Sequence, residues 1–149
     1  MRKRVLNIAR IAVEAGNIPN ITDKSYCLEI YCCGCKHGCR DCHNKGLWNF
    51  EAGDHMALSD IMEEIAKKRK FAEYVLFLGG DFGYFPAELA ILSAFSHKMG
   101  YKTIFYTGFE LQDFDKSVLK DIDYILCGKY DEKDPAKINK IRRLNCGEY

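Results

Sequence analysis

The sequence predicts an α/β fold assembled from parallel βα units, and three observations predict it. Short apolar runs, Tyr74-Val-Leu-Phe-Leu78 and Thr103-Ile-Phe-Tyr106, stop at or beside glycine, as buried strands do. Stretches with helical spacing of apolar residues lie between such runs. The resulting order, strand, helix, strand, helix, strand, is the one that right-handed crossovers lay down as a parallel sheet.

The elements follow in turn. Residues 1–23 are ambiguous, although Val5, Ile8, Ala9 and Ala12 fit helical spacing. Lys24 to Cys33 reads as a strand, with Tyr26, Leu28, Ile30 and Tyr31 in a β-favouring run that ends at Gly34. The stretch from Gly34 to Gly53 has little periodicity and reads as a loop. Ser59 is placed to open a helix as its N-cap, with Ile61, Met62 and Ile65 on one face. Tyr74–Leu78 is the next strand. Pro86 suits the first turn of a second helix, whose apolar positions include Leu89, Ala90, Leu92, Ala94 and Phe95, and Gly100 closes it. Thr103–Tyr106 is a strand, Glu110 to Leu119 a weaker helix, and Tyr124-Ile-Leu-Cys127 a last strand. After Asp134-Pro135 the tail is polar and basic and shows no pattern. Gly34, Gly79-Gly80, Thr107-Gly108 and Gly128 all fall just past strand ends. They would share the carboxyl rim of the sheet, where α/β proteins bind ligands.

Length and composition bound the function. The chain has 149 residues, 48% hydrophobic and 29% charged, which describes one ordinary globular domain over residues 1–149. Its formal net charge of +1 gives no reason to expect nucleic acid as a partner. No run approaches the roughly 20 apolar residues of a membrane helix. The stretch from Val5 to Val13 is interrupted by Asn7 and Arg10, so it lacks the apolar core of a signal peptide. A cytoplasmic location is expected. There, the eight cysteines suit metal binding better than a disulfide framework, and five of them crowd into residues 32–42.

Cys35, Cys39 and Cys42 form C-x3-C-x2-C within that crowd. Thiolates at this spacing can converge on one soft metal centre from a single loop. Three ligands would leave one iron of a 4Fe-4S cluster without a protein ligand, and so able to bind a substrate or cofactor. A closed site from Cys32, Cys35, Cys39 and Cys42 would instead hold zinc or an electron-transfer cluster. That loop is very short for most zinc folds, which separate the two cysteine pairs by about a dozen residues or more.

The residues around these cysteines carry a resemblance. C-x3-C-x2-C, followed by His43-Asn44 and Trp48-Asn49-Phe50, resembles the cluster loop of the radical S-adenosylmethionine (SAM) activating enzymes. Gly79-Gly80-Asp81, Tyr106-Thr107-Gly108 and the stretch from Asp123 to Gly128-Lys129-Tyr130 recur in the order found in the activating proteins of anaerobic ribonucleotide reductase. The resemblance runs from about residue 25 to about residue 132. It implies a partial, open βα barrel of the radical SAM type, and a strand within the ambiguous residues 1–23. It implies that Cys35, Cys39 and Cys42 ligate a 4Fe-4S cluster and that SAM chelates the fourth iron. The cluster would reduce SAM to a 5′-deoxyadenosyl radical, which would install a glycyl radical on the large subunit of anaerobic ribonucleotide reductase.

Gly79, Gly80, Asp81 and Thr107 would bind the cofactor, and a flavodoxin- or ferredoxin-type donor would supply the electron. His37 would hydrogen-bond the cluster or face solvent, and Trp48 would pack the loop onto the sheet. The sequence departs from the family pattern at Leu78 and Phe82, which flank the Gly-Gly-Asp motif, and at Cys127, where an acid is usual. An activase of another glycyl radical enzyme, such as pyruvate formate-lyase, is the nearest alternative.

Overall fold

The computed structural model describes residues 4–16, 25–38, 45–128 and 141–144. Among these, seven strands form one sheet in the order β3-β1-β2-β4-β5-β6-β7. The strands are β1 (Val5–Ala15), β2 (Tyr26–Cys32), β3 (Asp54–Ala57), β4 (Tyr74–Gly79), β5 (Lys102–Tyr106), β6 (Tyr124–Leu126) and β7 (Arg142–Arg143). The centre, β2-β4-β5-β6, is parallel throughout. Antiparallel strands flank it, with β1 and β3 on one side and β7 on the other. β3 and β7 lie at opposite ends of that order, so among the described residues the sheet does not close on itself, as in a partial, open βα barrel.

Three helices, α1 (Leu58–Lys68), α2 (Pro86–Lys98) and α3 (Lys116–Leu119), follow the strands in sequence. Register decides which face they cover. Leu28, Ile30 and Cys32 of β2 align with Val75, Phe77 and Gly79 of β4, and Val75 and Phe77 align with Thr103 and Phe105 of β5. That face joins the buried Leu58, Ile61 and Ile65 of α1, and Leu89 and Leu92 of α2, in the main core. The opposite face has a smaller cluster of Cys27, Tyr74, Leu76 and Ile104, backed by Leu78, Tyr106, Tyr124 and Ile141. Among the described residues no helix contributes to it. Glu29 and Tyr31 share this second face, opposite Leu76 and Leu78.

The structure corrects several sequence expectations. Val5–Ala15 is a strand, as the resemblance implied and against the helical spacing of its apolar residues. Its register slips between Ile8 and Arg10, a bulge that shifts the core-facing positions from the buried Leu6 and Ile8 to the partly buried Ile11 and Val13. The change of phase erases the alternation that would have marked a strand. Asp54–Ala57 forms an edge strand within what had read as the approach to the helix. It carries α1 in directly, so Ala57 sits at the N-cap and Ser59 falls inside the first turn. The stretch from Glu110 to Leu119 holds only a 3-10 turn, Leu111–Asp113, and the short α3. In the tail, Arg142–Arg143 adds to the sheet. Pro86 does open α2, and Gly100, with φ of 92°, follows its end.

Candidate cluster and cofactor site

β2 ends at Cys32, and the chain passes from there onto the carboxyl rim. Cys32 is fully buried in the helix-side core, and burial pushes its thiol well above the ordinary value. Cys33 is also fully buried, with its sulfur beside Gly53. A Cβ built on Gly53 would stand 2.8 Å from that sulfur. Neither thiol is presented to solvent at the rim. Cys35 is partly exposed, and it is the first cysteine of the loop to be so. Cys39 and Cys42, with His43 and Asn44, lie outside the described residues.

Hydrogen bonds dock the start of this loop onto the sheet. Gly34 N–H donates to Leu47 O at 2.7 Å, and Cys35 N–H to Trp48 O at 3.2 Å. Gly80 N–H donates to Cys32 O at 2.7 Å, and Asp81 N–H to Gly34 O at 2.8 Å. Lys36 N–H donates to the Tyr84 hydroxyl at 3.0 Å. The glycines make this docking possible. Gly34 has φ of +117°, and a Cβ there would fall 2.5 Å from the Phe50 ring. A Cβ on Gly80 would come within 2.5 Å of Gly34 O, and one on Gly79 within 2.5 Å of Cys32 O. The glycine pair thus lets the end of β4 lie directly against the cluster loop.

Asp81 follows the pair and is 1% exposed. Its Oδ1 accepts from Gly83 N–H at 2.7 Å and from the Thr107 hydroxyl at 2.9 Å. Its Oδ2 accepts from His37 Nε2 at 2.7 Å and from Gly108 N–H at 2.8 Å. Thr107 is buried too, and its Oγ1 accepts from Phe109 N–H. The His37 ring packs edge-on to Phe109, with centroids 4.5 Å apart, and tilted against Tyr84. Gly79, Gly80, Asp81 and Thr107 therefore do stand at one rim with Cys35. The Asp81–His37 pair had no sequence signal, because the two residues are 44 positions apart.

Trp48 is partly buried and bonds the loop through its backbone, and its buried indole N–H has no acceptor among the described residues. On the second sheet face, Tyr31 donates to Glu29 at 3.2 Å. Burial raises the Glu29 carboxyl above its ordinary value of 4.5, with the Glu14 charge adding to the rise and the Tyr31 bond and Arg10 opposing it. Burial also raises the Tyr106 hydroxyl on the same face.

Comparison with known proteins gives consistent answers. Residues 26–145 match the model of a family described as a 4Fe-4S single cluster domain. The chain is 29% identical over 124 residues to an anaerobic ribonucleoside-triphosphate reductase-activating protein of Pasteurella multocida (strain Pm70), covering 73% of this chain and 78% of that protein. It is 27% identical over 115 residues to the protein of the same name from Enterobacteria phage T4, covering 72% and 73% respectively. In fold it matches the crystal structure of QueE from Escherichia coli, with a TM-score of 0.61 at 14% identity, over 91% of this chain and 76% of that one.

Proposed function

The chain belongs to the 4Fe-4S single cluster domain family, and from that premise we propose that it is a radical SAM activating enzyme that generates a glycyl radical on anaerobic ribonucleotide reductase. One observation carries the reading. The cysteine loop is docked on the carboxyl ends of a parallel sheet, in a chain that aligns over most of its length with two activating proteins of that reductase.

The residues present fit a 4Fe-4S cluster. Cys35 brings a partly exposed thiol to the rim, and Cys39 and Cys42 follow it at ligand spacing in the same loop. The Trp48 indole N–H is buried without an acceptor among the described residues, in a residue whose carbonyl accepts from Cys35 N–H, and so offers a donor to an electron-rich group. Cys32 and Cys33, sealed in the interior, leave the loop with three thiols for the metal rather than four. When bound, cluster and SAM together supply a one-electron cleavage that yields a 5′-deoxyadenosyl radical.

The protein's own part is to hold and shield. The backbone at Gly79 and Gly80 and the end of β5 at Thr107 form the wall of the rim against which SAM would lie. The second sheet face, to which no described helix contributes, would admit a loop of the reductase large subunit, with Glu29, Tyr31 and Tyr106 offering polar contacts to its peptide groups. A flavodoxin- or ferredoxin-type protein would deliver the electron.

The test is anaerobic reconstitution followed by reduction with SAM present. Wild type should release 5′-deoxyadenosine, and single Cys35→Ala, Cys39→Ala or Cys42→Ala variants should hold no stable cluster and release none. Full cleavage by any of the three variants would overturn the ligand assignment.

A further inference from the structure

We propose that Asp81 is a positioning residue for the cluster loop, acting through His37 and not by touching the cofactor. The inference rests on reading residues 34–53 as the cluster loop and deepens it.

The Asp81 carboxylate is saturated. A carboxylate offers about four lone-pair sites. Four donors already occupy them: Gly83 N–H, the Thr107 hydroxyl, Gly108 N–H and His37 Nε2, all between 2.7 and 2.9 Å. With the side chain 1% exposed, an incoming amino group would have to displace one of these donors. A buried charge persists only when it is bonded in this way, so displacement would be costly.

The four donors come from three separate parts of the rim. Gly83 follows β4, Thr107 and Gly108 follow β5, and His37 belongs to the loop itself. One carboxylate therefore ties the ends of two strands to the stretch between Cys35 and Cys39. The His37 ring cannot slide, because Phe109 and Tyr84 pack against it and it lies directly on Gly108. A Cβ on Gly108 would come within 2.6 Å of the imidazole, so the glycine is what lets the ring reach the carboxylate. His37 stands two residues after one proposed ligand and two before the next. Fixing it holds the described start of the loop, residues 34–38, before metal arrives, which lowers the ordering cost of bringing the thiolates together.

The loop carries its own reporter, since Trp48 is the single tryptophan of the chain and its carbonyl accepts from Cys35 N–H. Four variants separate the possibilities: Asp81→Asn, His37→Phe, His37→Gln and the double Asp81→Asn/His37→Phe. Asparagine has the shape of aspartate, yet its amide must turn an N–H toward one of the fixed backbone donors. Phenylalanine keeps the ring packing of His37 but loses the donor, and glutamine keeps a donor at the Nε2 position.

Two quantities are measured: acrylamide quenching of Trp48 in the metal-free protein, and iron retained by the reconstituted protein under chelator challenge. Asp81→Asn and His37→Phe should each raise quenching about twofold and weaken iron retention roughly 10-fold, the usual effect of removing a residue that orients a metal ligand. His37→Gln should stay near wild type, and the double variant should be no worse than either single.

If Asp81→Asn keeps wild-type quenching and iron but loses SAM affinity, Asp81 is a direct cofactor contact and the brace is refuted. Equal damage from His37→Gln and His37→Phe refutes it as well. Should Asp81→Asn fail to fold by circular dichroism, the two His37 variants decide alone. Should wild type bind no iron, the cluster reading falls, while metal-free quenching still judges the brace.

Discussion

At the scale of single residues, burial separates chemistry from packing among the cysteines. Cys32 sits among Ile30, Phe77 and other core residues, with its thiol pushed up by desolvation, so it behaves as a small hydrophobe. Cys32→Ala should leave iron and acid-labile sulfide per chain unchanged. It should cost about 1 kcal/mol in cavity formation, or roughly 2–4 °C in Tm for a chain of this size. Loss of the cluster in that variant would instead make Cys32 a ligand.

Glu29 gives a pH signature. Its folded pKa is raised above 4.5 by burial, so its protonated form is favoured in the folded state. The associated stability is present in full below 4.5 and is lost as pH rises through the folded value. Glu29→Gln keeps an acceptor for the Tyr31 hydroxyl and removes the buried charge. The variant should therefore melt above wild type at neutral pH, and the gap should close as pH falls toward 4.5. A gap independent of pH would show that the carboxyl is not desolvated. The proposed roles of Cys35, Cys39 and Cys42 came from their spacing together with the family resemblance of the motifs around them. The Asp81–His37 bond could not be read there, since its partners meet only after β2 and β4 pair.

At the scale of elements, the contact between the end of β4 and the cluster loop is the feature on which the site turns. The sequence marked Gly79-Gly80 as a strand end where a backbone can come close. In the structure the closest neighbour of each glycine is protein backbone, Cys32 for Gly79 and Gly34 for Gly80. Gly80→Val should therefore lift the loop from β4, lowering iron per chain and SAM affinity together, at about 1–3 kcal/mol of overpacking. Normal iron with weak SAM binding would mean that Gly80 faces the cofactor alone.

The parallel elements β2, β4, β5 and β6 were legible because they are short, apolar and punctuated by glycine. The sheet margins were not. β1 hides its alternation behind a bulge, β3 is a four-residue edge with two exposed positions, and β7 is two exposed arginines. Edge strands of this kind owe their form to a neighbour, which periodicity does not record.

At the scale of the whole molecule, the sheet sorts its work by face and by edge. Helices and the main core occupy one face, and the carboxyl rim gathers Cys35, the glycine pair, Asp81 and Thr107. The second face carries Glu29, Tyr31 and Tyr106 beside its small apolar cluster. An incomplete barrel with one face free of described helices suits an enzyme whose substrate is a loop of another protein, since a closed barrel would admit only a small molecule. On the proposed reading this rim makes a radical and passes it to a glycine of the reductase. The direct measurement is electron paramagnetic resonance of the reconstituted, reduced protein mixed anaerobically with SAM and the anaerobic ribonucleotide reductase large subunit. The expected signal is the doublet of a glycyl radical, dependent on SAM and abolished by Cys35→Ala. SAM cleavage with no protein radical on the reductase would contradict that reading.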